Sequence, residues 1–122
     1  MTSPMPKVLI IDDDLDQLQM LSAALEGSYD VRTAADGLDG YVLACAEQPS
    51  VVVLDVMMPL VDGWTVLRKL RANPLTKGTR IIIATALDHD AVAADAAQLN
   101  VSLVLRKPID LRTLKSAIAR LS

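Results

Sequence analysis

Four acidic side chains stand where two apolar runs stop. Asp12, Asp13 and Asp14 follow the run Lys7–Ile11, and Asp55 follows Val51–Leu54. Each run reads as a buried strand. If the two strands lie parallel and adjacent, their carboxyl ends bring three or four carboxylates to one edge of a sheet. Like charges at that range repel and raise one another's pKa. A cation must therefore balance them, and the sequence offers two kinds: a divalent metal, or Lys107, which ends a later apolar run, Val101–Leu105. Hard oxygen ligands suit Mg²⁺ or Mn²⁺ rather than zinc. A carboxylate beside such an ion can attack phosphorus. Phosphoryl transfer asks little more than alignment and charge neutralisation. In that chemistry Lys107 would neutralise one phosphoryl oxygen and Thr85 would donate to another. Cys45 and His89 are single residues placed elsewhere, which argues against a nitrogen or sulfur metal site.

The elements that must position these groups alternate along the chain. Strands are expected at Lys7–Ile11, Tyr29–Thr33, Val51–Leu54, Arg80–Ala84 and Val101–Leu105. Between them, apolar residues recur at helical spacing. The first such set is Leu15, Leu18, Leu21, Ala24 and Leu25, stopped by Gly27. The second opens at Asp36-Gly37, carries Leu38, Tyr41, Val42 and Cys45, and ends at Pro49. The third runs from Trp64 to Arg71 with Val66, Leu67 and Leu70 inward, closed by Asn73-Pro74. The fourth spans His89–Leu99 behind a capping Asp88. The last follows a capping Asp110 and turns Leu111, Leu114, Ile118 and Leu121 inward. Met57–Gly63 is a loop, and Asp62-Gly63 a turn that shapes it. Aliphatic runs with little alternation are those of strands covered on both faces. Right-handed crossovers then give an α/β fold: a doubly wound, five-stranded parallel sheet with five helices. Ligands of such a sheet collect at its carboxyl edge, where strand order reverses.

The totals agree with one domain. The chain has 122 residues, 52% of them hydrophobic and 22% charged, so a core is within reach. With 2% aromatic residues and no Phe, aliphatic side chains must fill it. A formal net charge of −3 and no basic run speak against direct nucleic-acid binding. No apolar stretch approaches a membrane span, and Met1–Pro6 has neither the charge nor the apolar run of a signal peptide. The single Cys45 fits a reducing, cytoplasmic compartment. Residues 1–6 are expected to be flexible and residues 7–122 to form the domain. Trp64, Tyr29 and Tyr41 read as packing residues.

Several motifs together resemble the receiver domain of two-component response regulators, a flavodoxin-like fold. They are Val8–Asp14, Val53–Pro59, Asp62-Gly63, Ala84–Ala86 and Arg106–Pro108, in order, over nearly the whole chain. The resemblance implies that Asp55 accepts a phosphoryl group from a histidine kinase or histidine phosphotransfer protein. It implies Mg²⁺ held by Asp12, Asp13, Asp55 and the main-chain carbonyl of Met57, with Asp14 at the rim. It implies that Thr85 follows the phosphoryl group, that the small Ala86 leaves room for it, and that Lys107 pairs with it beside a cis Lys107–Pro108 bond. The chain would be a signalling switch rather than an enzyme, although it would catalyse its own phosphorylation and slow dephosphorylation. It would act on a downstream protein, as a monomer or a phosphorylation-dependent dimer. The family often carries an aromatic residue three positions before the lysine, and here that position is Val104. Two rivals are weaker, and a third is separated only by experiment. An aspartate-nucleophile phosphohydrolase usually needs a second acid two residues after the nucleophile, where this chain has Met57. A flavodoxin-like cofactor binder needs a Gly- or Ser/Thr-rich loop in place of Asp12–Asp14. A receiver fold used only for interaction needs no phosphorylation at all.

Overall fold

The computed structural model describes residues 5–122. Ten elements alternate: β1 (Lys7–Ile11), α1 (Leu15–Leu25), β2 (Asp30–Ala34), α2 (Gly37–Glu47), β3 (Val51–Leu54), α3 (Gly63–Ala72), β4 (Arg80–Thr85), α4 (His89–Gln98), β5 (Leu103–Arg106) and α5 (Leu111–Leu121). All strands pair in parallel, in the order β2-β1-β3-β4-β5. The expectation of flexible residues 1–6 falls mostly on Met1–Pro4, outside the described residues. The Pro6 carbonyl accepts a hydrogen bond from the Asp30 N–H at 3.0 Å.

The unalternating aliphatic runs follow from burial on both faces. Leu9, Ile11, Val52, Leu54, Ile81 and Ile83 point to one side, where α2, α3 and α4 close over them. Val8, Ile10, Val51, Val53, Ile82 and Ala84 point to the other, beneath Leu18, Leu21 and Leu25 of α1 and Leu114, Ala117 and Ile118 of α5. Asp14, Asp36, Asp62 and Asp110 each cap a helix through a side-chain oxygen, satisfying N–H groups that a first turn leaves free.

The structure departs from the sequence expectations at named places. In α2 the buried residues are Gly37, Gly40 and Ala44, while Leu38 and Val42 are exposed. Of the large apolar residues expected inward, Tyr41 packs against the core, whereas Leu38 and Val42 do not, because the innermost face of this helix lies too close to the sheet for them. A Cβ on Gly40 would sit 2.6 Å from the Ile11 side chain. Leu15, expected inward, is exposed in the first turn of α1. The β2 strand sits one residue later than expected, and β5 starts at Leu103 rather than Val101. Asn100 adopts φ 58°, and the Val101 N–H bonds back to Ala96 O, so the chain is still leaving α4 there. Asp88 stands at the cap position of α4 without a side-chain cap bond. Its carboxylate pairs instead with Arg106 at 2.7 Å.

Gly63 fixes how α3 meets the sheet. A Cβ there would lie 2.3 Å from Val56 Cα and 2.5 Å from the Asp55 carbonyl oxygen, both main-chain atoms with no freedom to turn aside. The Gly63 N–H bonds to Val56 O at 3.1 Å. Gly63→Ala is expected to lower stability by about 1–3 kcal/mol, the usual cost of forcing atoms into a packed region. Gly78, with open space around its Cβ position, is the control, and Gly78→Ala should stay within about 0.5 kcal/mol of the parent. Urea unfolding of the three proteins tests this, and equal midpoints for Gly63→Ala and the parent would refute it.

Candidate functional site

Strand order reverses between β1 and β3: from β1 the chain moves to β2 on one side, then returns to β3 on the other. Ile11 and Leu54 are register partners at the carboxyl ends of these strands. The next residues are Asp12 and Asp55, and the Asp55 N–H continues the ladder to Ile11 O at 3.0 Å. Both carboxylates are thus delivered side by side by the strand pairing. Both are buried, at 2% and 5% exposure. Asp13 is exposed at the mouth. One carboxylate oxygen from each of Asp12, Asp13 and Asp55 lies within 4.8 Å of the others.

Lys107 enters from the end of β5. Its Nζ donates to Asp12 Oδ2 at 2.8 Å and to Asp55 Oδ2 at 2.9 Å. The remaining oxygens are also engaged: Asp55 Oδ1 accepts the Met57 N–H at 2.9 Å, and Asp12 Oδ1 accepts the Asp14 N–H at 3.0 Å. Burial raises the pKa of Asp12, and the Lys107 ammonium offsets this only in part. For Lys107 the balance falls the other way. Burial alone would lower its pKa, but hydrogen bonds and charges from Asp12 and Asp55 outweigh it and leave it raised. Lys107 therefore stays charged while Asp12 carries a burial penalty.

Three carboxylates against one ammonium leave an anionic excess, and every ligand on offer is a hard oxygen. That donor set fits a small divalent cation such as Mg²⁺. Cys45 and His89 lie outside the cluster. The Cys45 sulfur meets Asn73, and His89 lines a hollow near Asp88.

The other expected residues divide. Thr85 is fully buried at the end of β4, and its carbonyl accepts the Lys107 N–H at 2.8 Å. Its hydroxyl accepts from the Leu87 N–H at 3.4 Å, within its own loop. Met57 joins the site through its main chain, and its side chain is exposed. Asp14 is exposed and caps α1 with bonds to the Asp16 and Gln17 N–H groups, so it serves the helix rather than the cluster. The Lys107–Pro108 peptide is cis. Val104 is half-buried beside a hollow of about 450 Å³ shared with Asp88, His89, Asp90, Ala91 and Arg106.

Sequence reasoning missed two side chains. The Asp88–Arg106 pair joins residues 18 positions apart, and only the pairing of β4 with β5 shows that they meet. Arg71, expected only as the end of a helix, donates to the carbonyls of Leu99, Asn100, Lys77 and Thr79. Burial lowers its pKa. It ties α3 to the far end of α4, and nothing in its spacing announced this.

Comparison with known proteins is consistent across three kinds of likeness. The family model for the response regulator receiver domain matches residues 8–119. The chain is 37% identical over 105 residues to response regulator PleD of Caulobacter vibrioides, covering 85% of this chain but only 23% of that protein. It is 33% identical over 115 residues to protein PilH of Pseudomonas aeruginosa, covering 93% and 95% of the two chains. The structure of chemotaxis protein CheY4 of Vibrio cholerae superposes with a TM-score of 0.90 at 29% identity, covering 97% of this chain and 99% of that one. The chain therefore belongs to the receiver-domain family of two-component response regulators, proteins of signal transduction.

Proposed function

We propose that this chain is a phosphorylation switch in which Asp55 takes a phosphoryl group from the phosphohistidine of a kinase or phosphotransfer protein. The observation that carries the reading is the Lys107 ammonium bridging Asp12 and Asp55 at the β1–β3 edge, with Asp13 at the open side. A lone pair of the Asp55 carboxylate attacks phosphorus. The P–N bond breaks, and its electron pair stays on the donor imidazole, which takes up a proton as it leaves. The Met57 N–H and the Lys107 ammonium orient the attacking carboxylate. Lys107 then shares its charge with the oxygens of the transferred group, which is where preorganised charge contributes most. Asp12, Asp13, Asp55 and the Met57 carbonyl would hold Mg²⁺, which when bound supplies the remaining charge neutralisation and alignment. Thr85, at the end of β4, donates its hydroxyl to the phosphoryl group and carries the change into the β4–α4 segment.

Receiver-domain response regulators are signalling proteins rather than enzymes in the ordinary sense. This chain acts by presenting an altered surface to a downstream protein, in the cytoplasm where its donor kinase domain resides. None of its described helices is long and apolar enough to cross a membrane. Incubation with acetyl phosphate and Mg²⁺ should add one phosphoryl group by intact mass. Asp55→Asn should abolish the gain, and Lys107→Met should slow it by about 10²–10³-fold. An unmodified parent chain that still binds Mg²⁺ would instead mark a pure interaction module.

Cation binding should depend on pH in a definite direction. A carboxyl group with a raised folded pKa contributes stability that is complete below its ordinary range and lost as pH rises through the raised value. Asp12 is such a group. It must also lose its proton to hold a cation, so proton and Mg²⁺ compete. The Mg²⁺-induced rise in Tm should therefore shrink as pH falls from neutrality through the raised Asp12 value. A rise of constant size would show that Asp12 takes no part.

The phosphorylated form should be long-lived. In the arrangement that membership of the family implies, the side chains of Met57 and Leu87 lie nearest the route of an attacking water, and neither can hydrogen-bond it into line. Phospho-Asp55 is expected to persist for minutes or more without a phosphatase. Decay within seconds, followed by intact mass, would contradict this.

A further inference from the structure

The Asp88–Arg106 ion pair spans the two strand ends that carry Thr85 and Lys107. Arg106 is the register partner of Thr85 across β4 and β5, and it immediately precedes Lys107. Asp88 lies three residues beyond Thr85, at the cap position of α4, yet makes no cap bond to that helix. Its carboxylate reaches across to the Arg106 guanidinium at 2.7 Å. The segment Ala86–Leu87 is thus closed into a loop, with β4 holding one end and the ion pair holding the other.

In this arrangement the Thr85 hydroxyl faces its own segment, accepting from the Leu87 N–H at 3.4 Å. The hydroxyl keeps its own O–H free to donate, but this bond ties Thr85 to Leu87, so a swing of the Thr85 side chain toward a group on Asp55 pulls on residues 86–88. Arg106 is fixed by the β4–β5 ladder, so holding Asp88 resists the movement. The opposite end of α4 is fastened differently. Arg71 donates to the carbonyls of Leu99 and Asn100, where the helix ends. The near end is therefore the one free to shift. Both members of the pair are exposed, at 69% for Asp88 and 64% for Arg106, and an exposed pair of this kind is weak enough to open and close.

We propose that Asp88 and Arg106 form a latch that holds the segment after Thr85 in its unphosphorylated position, and that these two positioning residues limit the rate at which Asp55 is phosphorylated. The proposal rests on the switch reading given above. Opening the latch raises the population of the conformer that accepts the phosphoryl group, without touching the acceptor itself. Val104, with no ring to register the state of Thr85, leaves this task to the ion pair on the next residue but one.

The experiment is phosphorylation by acetyl phosphate at saturating Mg²⁺, followed by intact mass over time. Arg106→Gln and Asp88→Asn should each speed phosphoryl gain by about twofold to fivefold, the range an exposed ion pair supports. The two variants change net charge in opposite directions, so acceleration in both separates a latch from attraction of the anionic donor. The exchanged pair Asp88→Arg with Arg106→Asp should return the rate to that of the parent. Added NaCl should speed the parent more than Arg106→Gln, because it screens the pair. Equal rates in the parent, both single variants and the exchanged pair would overturn the latch and leave the switch standing. If the parent gains no phosphoryl group, the switch reading falls. Amide exchange at residues 86–91 then decides the latch as a structural element: faster exchange in Arg106→Gln supports it, and unchanged protection overturns it.

Discussion

One ammonium between two buried carboxylates organises this molecule. Lys107 sits within hydrogen-bond distance of both Asp12 and Asp55, from strands at three places in the sheet. Without it, two carboxylates at 2% and 5% exposure would face each other in a region of low dielectric, where burial and repulsion both favour protonation. Even with it, Asp12 remains raised. The site is thus poised between two demands. The proposed function asks it to keep carboxylates ionised for chemistry and not to be so well neutralised that a further cation has no reason to bind. A single lysine against three acids meets both.

That charge arrangement is a consequence of register. Asp12 and Asp55 are neighbours because Ile11 pairs with Leu54, and a one-residue slip would send each strand's side chains to the opposite face. Slippage is opposed by the burial of both faces. Ile11 and Leu54 belong to the cluster beneath α2, α3 and α4, and Ile10 and Val53 to the cluster beneath α1 and α5. The sheet therefore stores the geometry of the site in its core. Gly63 completes the arrangement from outside. Its bare Cα lets the first turn of α3 rest on the Asp55–Val56 peptide, which keeps the loop bearing the Met57 N–H against the Asp55 carboxylate.

Much of this was legible in the chain because strong signals pointed the same way. Aliphatic runs ending in acids located β1 and β3, and Lys107 after a third run located the counter-charge. Where the sequence misled, small residues or long-range partners were responsible. The fully buried residues of α2 are Gly37, Gly40 and Ala44, which carry almost no hydrophobic signal, while Leu38 and Val42 face solvent. Asp88 reads as a cap and is an ion-pair partner. In each case the residue type was informative and its direction was not, since direction depends on which elements pack nearby.

Val104 brings these threads together. Beside it lies an open hollow rather than a packed ring, bordered by Asp88, His89, Asp90, Ala91 and Arg106. A buried aromatic can report a strand-end movement because its bulk fits only one of two positions. A valine has no such alternatives, so in the proposed switch the reporting passes to groups that do. The Asp88–Arg106 pair is one, since a guanidinium and a carboxylate on flexible stems are either joined or apart. Steric coupling by a ring is strong and insensitive to salt, whereas coupling by an exposed ion pair is weak and screened. A switch built in the second way responds over a narrower range of free energy, and its setting depends on the ionic surroundings of the surface it presents to a partner.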